Sequence, residues 1–461
     1  MEYERIGQKM TAFKRMFSGV DMTEGTPWKK ILLFTIPLLI GNFFQQLYNI
    51  ADAIFLGRFI GDDALAAVGA TIPVIFLILV LSLGVAMGAG VMCSQYFGAK
   101  SREDLSYTIG TAITLSAVIS LILAVFTPLA SYRILVLMQT PPQLIDDAAL
   151  YMNVMFWGIA GLVYFNMLSG ILRGLGEAAA PLLYLAVASL LNILLNYIFI
   201  GILGMGVFAA AIGTVIAQAV SSILCLRKLM QMRHVFDMSR RYLRPKKKYV
   251  TQMLKLGIPT GAFQALFAVA MMATQPLVND FGEMFIAVNF IVMRIDGFII
   301  MPAFSFGNAL AVFAGQNVGA GKIDRVERGV RQGSKMALCT AIILVALVLT
   351  FGRYIAGVFT NTPQAVDMTM RMLWILAAGH LAFSITQVLW GAIRGAGDAM
   401  TPMWGALINV TLIRIPMAYL LVFLMGRPEA VMYSLLIAWI ANLLMASAAY
   451  RIGKWRTKGI V

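Results

Sequence analysis

Asn42, Gln45, Asn49 and Asp52 recur at spacings of 3, 4 and 3 inside the first long apolar run of the chain. On a helix that spacing stacks four polar side chains on one face. Amides and a carboxylate in that setting either hydrogen-bond across to another helix or line a watery cavity where a cation binds. A charge left unpaired in lipid costs up to about 3 kcal/mol, so an intramembrane acid is a functional candidate by default. Asp52 is therefore the first candidate for ion coupling, and Gln45 and Asn49 are candidates for substrate contact. Asn192 and Asn196 lie one helical turn apart in the fifth apolar run, either as a packing pair or as oxygens for an ion. The eighth run carries Asn289, Arg294 and Asp296, with the acid near its middle. Arg294 and Asp296 are either an internal ion pair or contacts for a charged substrate. In the tenth run, His380 and Gln387 are seven residues apart and share a face, and Gln264 and Gln275 lie in the seventh. These residues are candidates for the other wall of a cavity, against the plainer possibility that a buried histidine only packs. Arg414 is a further intramembrane cation in the eleventh run, either a partner for Asp296 or an anchor.

The elements that position these groups are helices in a bilayer. The chain has 461 residues, of which 60% are hydrophobic and 12% charged, with a mean hydropathy of +0.83. A soluble protein of this size needs far more charge on its surface. Each bilayer crossing takes about 20 apolar residues, and twelve such runs are present. They are 31–57, 64–97, 104–130, 146–171, 178–202, 206–230, 249–280, 285–316, 326–352, 365–393, 400–425 and 429–450. The first is too long for a signal-peptide core and lacks a small-residue cleavage site. The net charge of +15 is placed unevenly. Lys and Arg crowd the amino-terminal segment, the stretch 227–248, the tail and the even-numbered loops, while the odd-numbered loops hold only Arg58, Arg133, Arg353 and Arg427. The positive-inside rule then puts both termini in the cytoplasm, and nucleic-acid binding is not needed to explain the charge.

The chain also repeats itself. Arg173-Gly174-Leu175-Gly176-Glu177 with Pro181 returns 221 residues on as Arg394-Gly395-Ala396-Gly397-Asp398 with Pro402. Gln95, Gly98 and Ala99 return at the same interval as Gln316, Gly319 and Ala320, and Ile36-Pro37 returns as Ile258-Pro259. Six spans per half is even, so both halves cross in the same sense and their pseudo-twofold axis runs along the membrane normal. The expected fold is all-α and integral to the membrane, with twelve transmembrane helices in two six-helix lobes. Residues 1–30 form a cytoplasmic segment, 31–230 the first lobe, 231–248 a basic linker, 249–450 the second lobe and 451–461 a cytoplasmic tail.

These motifs together resemble the multidrug and toxic compound extrusion (MATE) family over about residues 26–450. The Gln46-Leu47-Tyr48-Asn49-Ile50-Ala51-Asp52 run, with Gly57 and Ala66-Ala67-Val68, is most similar to its DinF-like branch. The resemblance implies an antiporter that expels organic compounds in exchange for H+ or Na+. It also implies that Asn192 and Asn196 sit beside Asp52 in the first lobe, where they could share a sodium ion. The position of Asn196 is often Asp in that branch, and an amide does not take up a proton, so proton chemistry there rests on Asp52.

Other classes fit less well. The Arg-Gly-x-Gly turns follow no strand, so they are not phosphate loops. Cys93, Cys225 and Cys339 are too few and too scattered for a zinc site or a disulfide framework, and no catalytic constellation stands out. No cofactor beyond the coupling ion is expected. The expected partners are amphipathic organic cations and the bilayer of a bacterial cytoplasmic membrane, with the chain acting as a monomer. A lipid-linked precursor flippase of the same shape would need a strongly cationic cavity for pyrophosphate, and only Arg294, Arg371 and Arg414 are available. A non-drug metabolite exporter is another alternative, and a non-transporting receptor or channel a third, though short loops and no ligand-binding domain argue against a receptor.

Overall fold

A computed structural model describes residues 19–55 and 62–461, with side chains described for 19–46 and 66–461. Every long element among them is a helix, and none is a strand. In chain order they are α1 (Pro27–Phe55), α2 (Asp62–Gly98), α3 (Arg102–Leu137), α4 (Pro142–Trp157), α5 (Ile159–Gly174), α6 (Ala179–Asn196), α7 (Gly206–Gln231) and the short α8 (Arg240–Leu243). The second half holds α9 (Lys247–Asp280), α10 (Glu283–Gly319), α11 (Ile323–Gly357), α12 (Pro363–Gly395), α13 (Met400–Ile408), α14 (Ile415–Met425) and α15 (Glu429–Ile452). Ten of the spans are long and apolar enough to cross a membrane, and α4 with α5 makes an eleventh. The apolar 29-residue α1 takes the place of the first expected span.

The fourth expected span, 146–171, is not one straight helix. It breaks at Gly158 into α4 and α5, bent by 50°. Gly158 packs its bare Cα against the Val215 side chain, where any Cβ would collide. The fifth and eleventh spans each contain one π-helical stretch, Tyr197–Ile202 after α6 and Asn409–Arg414 between α13 and α14. Such wide turns interrupt the regular hydrogen-bond ladder and are frequent at functional sites.

The chain divides into two compact units, whose borders differ from those drawn from hydropathy. The first contains Met1–Asp21 and Ile36–Gly261, the second Met22–Thr35 and Ala262–Val461. The linker and the start of α9 thus belong to the first unit, for a visible reason. Arg102 on α3 grips the Asp237 carboxylate at 2.8 Å and the His234 carbonyl at 2.5 Å, while the Ser106 hydroxyl accepts the Asp237 N–H. Tyr249 donates to Asp104 at 2.8 Å, and the Lys246 ammonium lies 3.6 Å from the Tyr107 ring centre. Beside Asp237, the Arg102 guanidinium holds the carboxyl below its ordinary range. Residues 22–35 belong to the second unit because Met22 is fully buried there. Its N–H donates to Gln316 at 2.9 Å, and its carbonyl accepts from Asn317 at 3.0 Å.

Each unit is held by close helix crossings. In lipid there is little hydrophobic drive between helices, so small residues that bring backbones together do most of the packing. In the first unit, Gly174 on α5 faces the Gly90 carbonyl on α2; in the second, Gly395 on α12 faces the Ala311 carbonyl on α10. Gly174 and Gly395 are 221 residues apart, so the repeated motif is the same crossing built twice.

Candidate functional site

α10 and α12 pack tightly along their length in the second unit and bring together two of the expected residues. His380 Nε2 lies 2.5 Å from Asp296 Oδ1, with the imidazole side chain 2% exposed and the carboxylate 17%. The more open Asp296 lines a cavity of about 210 Å³ inside this unit. Its walls are aromatic. Phe267 from α9, Phe304 from α10 and Phe383 from α12 meet edge to face, with Phe267–Phe304 and Phe304–Phe383 centroids 6.1 and 5.5 Å apart. Trp439 from α15 closes the ring at 5.4 Å from Phe383 and 5.2 Å from His380. Edge-to-face rings form a stable apolar wall without a perfect stack. Met271, Met293 and Met432 line the remainder with flexible, polarisable surface. Polar groups are few: Thr274, Gln275, Asn289, Ser434, Asp296 and Arg414. Gln275 is tied to Asn279 at 2.9 Å, and the Asn289 amide points at the Met293 sulfur at 3.8 Å. The cavity can therefore receive a ring system and offer it one carboxylate and one guanidinium. Its volume is below the roughly 300 Å³ at which drug-sized sites begin, so one ring system fills it.

Other candidates fall elsewhere. Arg294 points to the exposed face of α10, with its guanidinium 4.9 Å from the Phe290 ring, and neither pairs with Asp296 nor lines the cavity. Two residues along a helix is about 200°, which puts it on the opposite side. Gln387 is fully buried, and its amide makes no hydrogen bond among the described residues; Gln264 is half-buried on α9. Neither lines this cavity. Arg414, at the end of the π-helical stretch, and Trp439 do line it. The sequence marks Arg414 only as an intramembrane cation, a partner for Asp296 or an anchor, and does not single out Trp439, on the separate helix α15.

In the first unit, Asn192 and Asn196 are both fully buried on α6. Asn196 Nδ2 donates to Asn192 Oδ1 at 3.0 Å, and Asn192 Nδ2 donates to the Thr214 hydroxyl on α7 at 3.2 Å. Gly213 leaves the space that the Asn196 oxygen fills. Gln45 is exposed on α1, and the side chains of Asn49 and Asp52 lie outside those described. No cluster of metal-ligating side chains exists among the described residues.

Comparison with known proteins fits both halves. The MatE family model matches residues 37–198 and again 259–420. The chain belongs to the MatE family. It is a multi-pass membrane transporter and not an enzyme. It is 28% identical over 401 residues to the probable multidrug resistance protein YoeA of Bacillus subtilis, covering 86% of this chain and 87% of that protein. It is 25% identical to the probable multidrug resistance protein NorM of Thermotoga maritima, covering 94% of both. Among solved structures it superposes with a TM-score of 0.88 on an outward-facing multidrug resistance MATE transporter of the MOP superfamily, at 24% identity, over 95% of this chain and 99% of that one. A MOP superfamily transporter from Pyrococcus furiosus, described as having a binding pocket of reverse polarity, gives 0.87 at 25% identity over 94% and 97%.

Proposed function

We propose that this transporter exports amphipathic organic compounds, chiefly cations, out of a bacterial cytoplasmic membrane in exchange for H+ or Na+, with both termini in the cytoplasm. The observation that carries the reading is the aromatic cavity of the second unit with the Asp296 carboxylate in its wall. Ring edges and methionines suit varied apolar bodies, and one acid selects for a positive end. The names of the YoeA and NorM relatives support drugs as cargo. Ion coupling is assigned to the first unit, at Asp52 with Asn192 and Asn196, the last two already joined. Neutralising Asp52 removes a charge from an apolar span and favours a different packing of α1, which is how an ion binding in one lobe alters a transporter's state. One proton moving inward across about 100 mV and one pH unit releases roughly 3.7 kcal/mol, enough for about a 500-fold gradient of a neutral solute; for a monovalent cation the voltage terms cancel and about tenfold remains. The test is ethidium export by Asp52→Asn in proteoliposomes. Export falls to the uncoupled leak while the protein stays folded; undiminished ion-driven export by that variant overturns the assignment.

A further inference from the structure

We propose that Arg414 is an oxyanion-recognition residue, so that the second-unit cavity takes aromatic amphiphiles bearing a carboxylate as well as those bearing a cation. This rests on reading that cavity as the substrate site.

Arg414 ends the π-helical stretch between α13 and α14 and is half-buried in the wall of the aromatic cavity. It makes no ion pair or hydrogen bond among the described residues. Asp296 shares the wall with it, but that carboxylate is engaged by His380 at 2.5 Å and does not come within ion-pair distance of Arg414. A guanidinium carries five N–H donors in a rigid fork and stays charged in any protein setting. Placed among Phe267, Phe304 and Trp439, with none of those donors used, it is costly to keep unless something supplies acceptors. Water supplies acceptors in part; a ligand carboxylate supplies two coplanar ones in the geometry that the fork matches. The aromatic walls define the rest of the ligand, a flat ring system on the scale of the 210 Å³ cavity.

The two charged groups of this cavity also differ in availability. Asp296 already has a partner in His380, so a cationic ligand must share that acid or displace the imidazole. Arg414 has no partner at hydrogen-bond or ion-pair distance among the described residues, and the Asp296 carboxylate acts on it only from farther off. An oxyanion thus has the freer anchor, and a ligand with both charges can use the two together.

The test is equilibrium binding to the purified full-length protein in lipid nanodiscs, comparing 2-naphthoate with its neutral isostere 2-naphthamide by calorimetry. Wild type prefers the carboxylate by about tenfold or more, the worth of a charge-assisted hydrogen-bond pair in a water-poor site. Arg414→Gln brings the two ligands to within about twofold of each other, and Arg414→Lys keeps part of the preference because a point charge lacks the fork. Asp296→Asn leaves the preference intact or raises it. Absence of a preference in wild type overturns the proposal even if every variant misfolds. A full preference surviving in a folded Arg414→Gln overturns it as well. Because binding is read without any gradient, failure of ion-driven export leaves this result standing, and failure here leaves the export reading standing.

Discussion

The two units are built on one frame and filled with opposite chemistry at matching places. In the second unit, Asp296 pairs with His380 and lines an aromatic cavity. Their counterparts 221 residues earlier are Ile75 and Ile159, which pack in a single hydrophobic cluster of the first unit. The converse also holds. Asn192 and Asn196 form a buried amide chain in the first unit, and their counterparts are Ile413 and Met417. An acid and an imidazole in one lobe answer to two isoleucines in the other, and two amides answer to two apolar residues. The glycine crossings that hold each unit are kept in both halves. Repetition thus preserves the parts that fix helix spacing while the buried polar groups differ between the halves. A two-lobed transporter can then assign ion and substrate to different lobes while both move as similar bodies.

The comparison can be broken most severely at the shared frame. Gly174→Val and Gly395→Val each drive a side chain into a carbonyl on the facing helix, and each should cost about 3 kcal/mol of stability by overpacking. Thermal unfolding in detergent reads both; one variant unfolding like wild type would show that the two crossings are not equivalent. Next comes Asn192→Ala, which leaves the Asn196 amide and the Thr214 hydroxyl without their Asn192 partner in a buried site. A loss of about 2 kcal/mol is expected in the same melt, with ethidium affinity unchanged. Asp296→Asn should do the reverse. Ethidium binding weakens about tenfold while the melting temperature stays close to wild type, since the acid serves the cavity and not the frame. If Asn192→Ala lowers ethidium affinity as much as Asp296→Asn, the division of labour fails. The smallest effect belongs to Arg294→Ala, within about 0.5–1 kcal/mol in stability and about twofold in ethidium affinity, because its guanidinium sits over Phe290 outside the cavity. A large loss of binding would return Arg294 to the site.

Much of this was legible in the sequence, and the remainder fails for identifiable reasons. Hydropathy found the spans because a bilayer imposes a minimum apolar length, and the 221-residue echo found the two like halves, although only the packing shows that its glycines sit at helix crossings. The Asn192–Asn196 contact followed from one-turn spacing alone. The Asp296–His380 pair joins helices 84 positions apart, which no local period can reveal. The bend at Gly158 depends on Val215, a residue of another helix. Arg414 stands out in the sequence as an intramembrane cation, but its place in the cavity wall depends on the π-helical stretch, and Trp439 carries no signal in its own segment. The unit borders moved because buried Met22 and the Arg102–Asp237 grip are polar and packing events outside the apolar runs.

The most direct test is transport of ethidium by the wild-type protein in sealed proteoliposomes, with pH and sodium gradients imposed one at a time and no nucleotide present. Uphill movement of ethidium driven by one of the two gradients, and abolished when that gradient is collapsed, is the predicted result. Ethidium that merely equilibrates whichever gradient is applied would contradict the account of this protein as an ion-driven exporter.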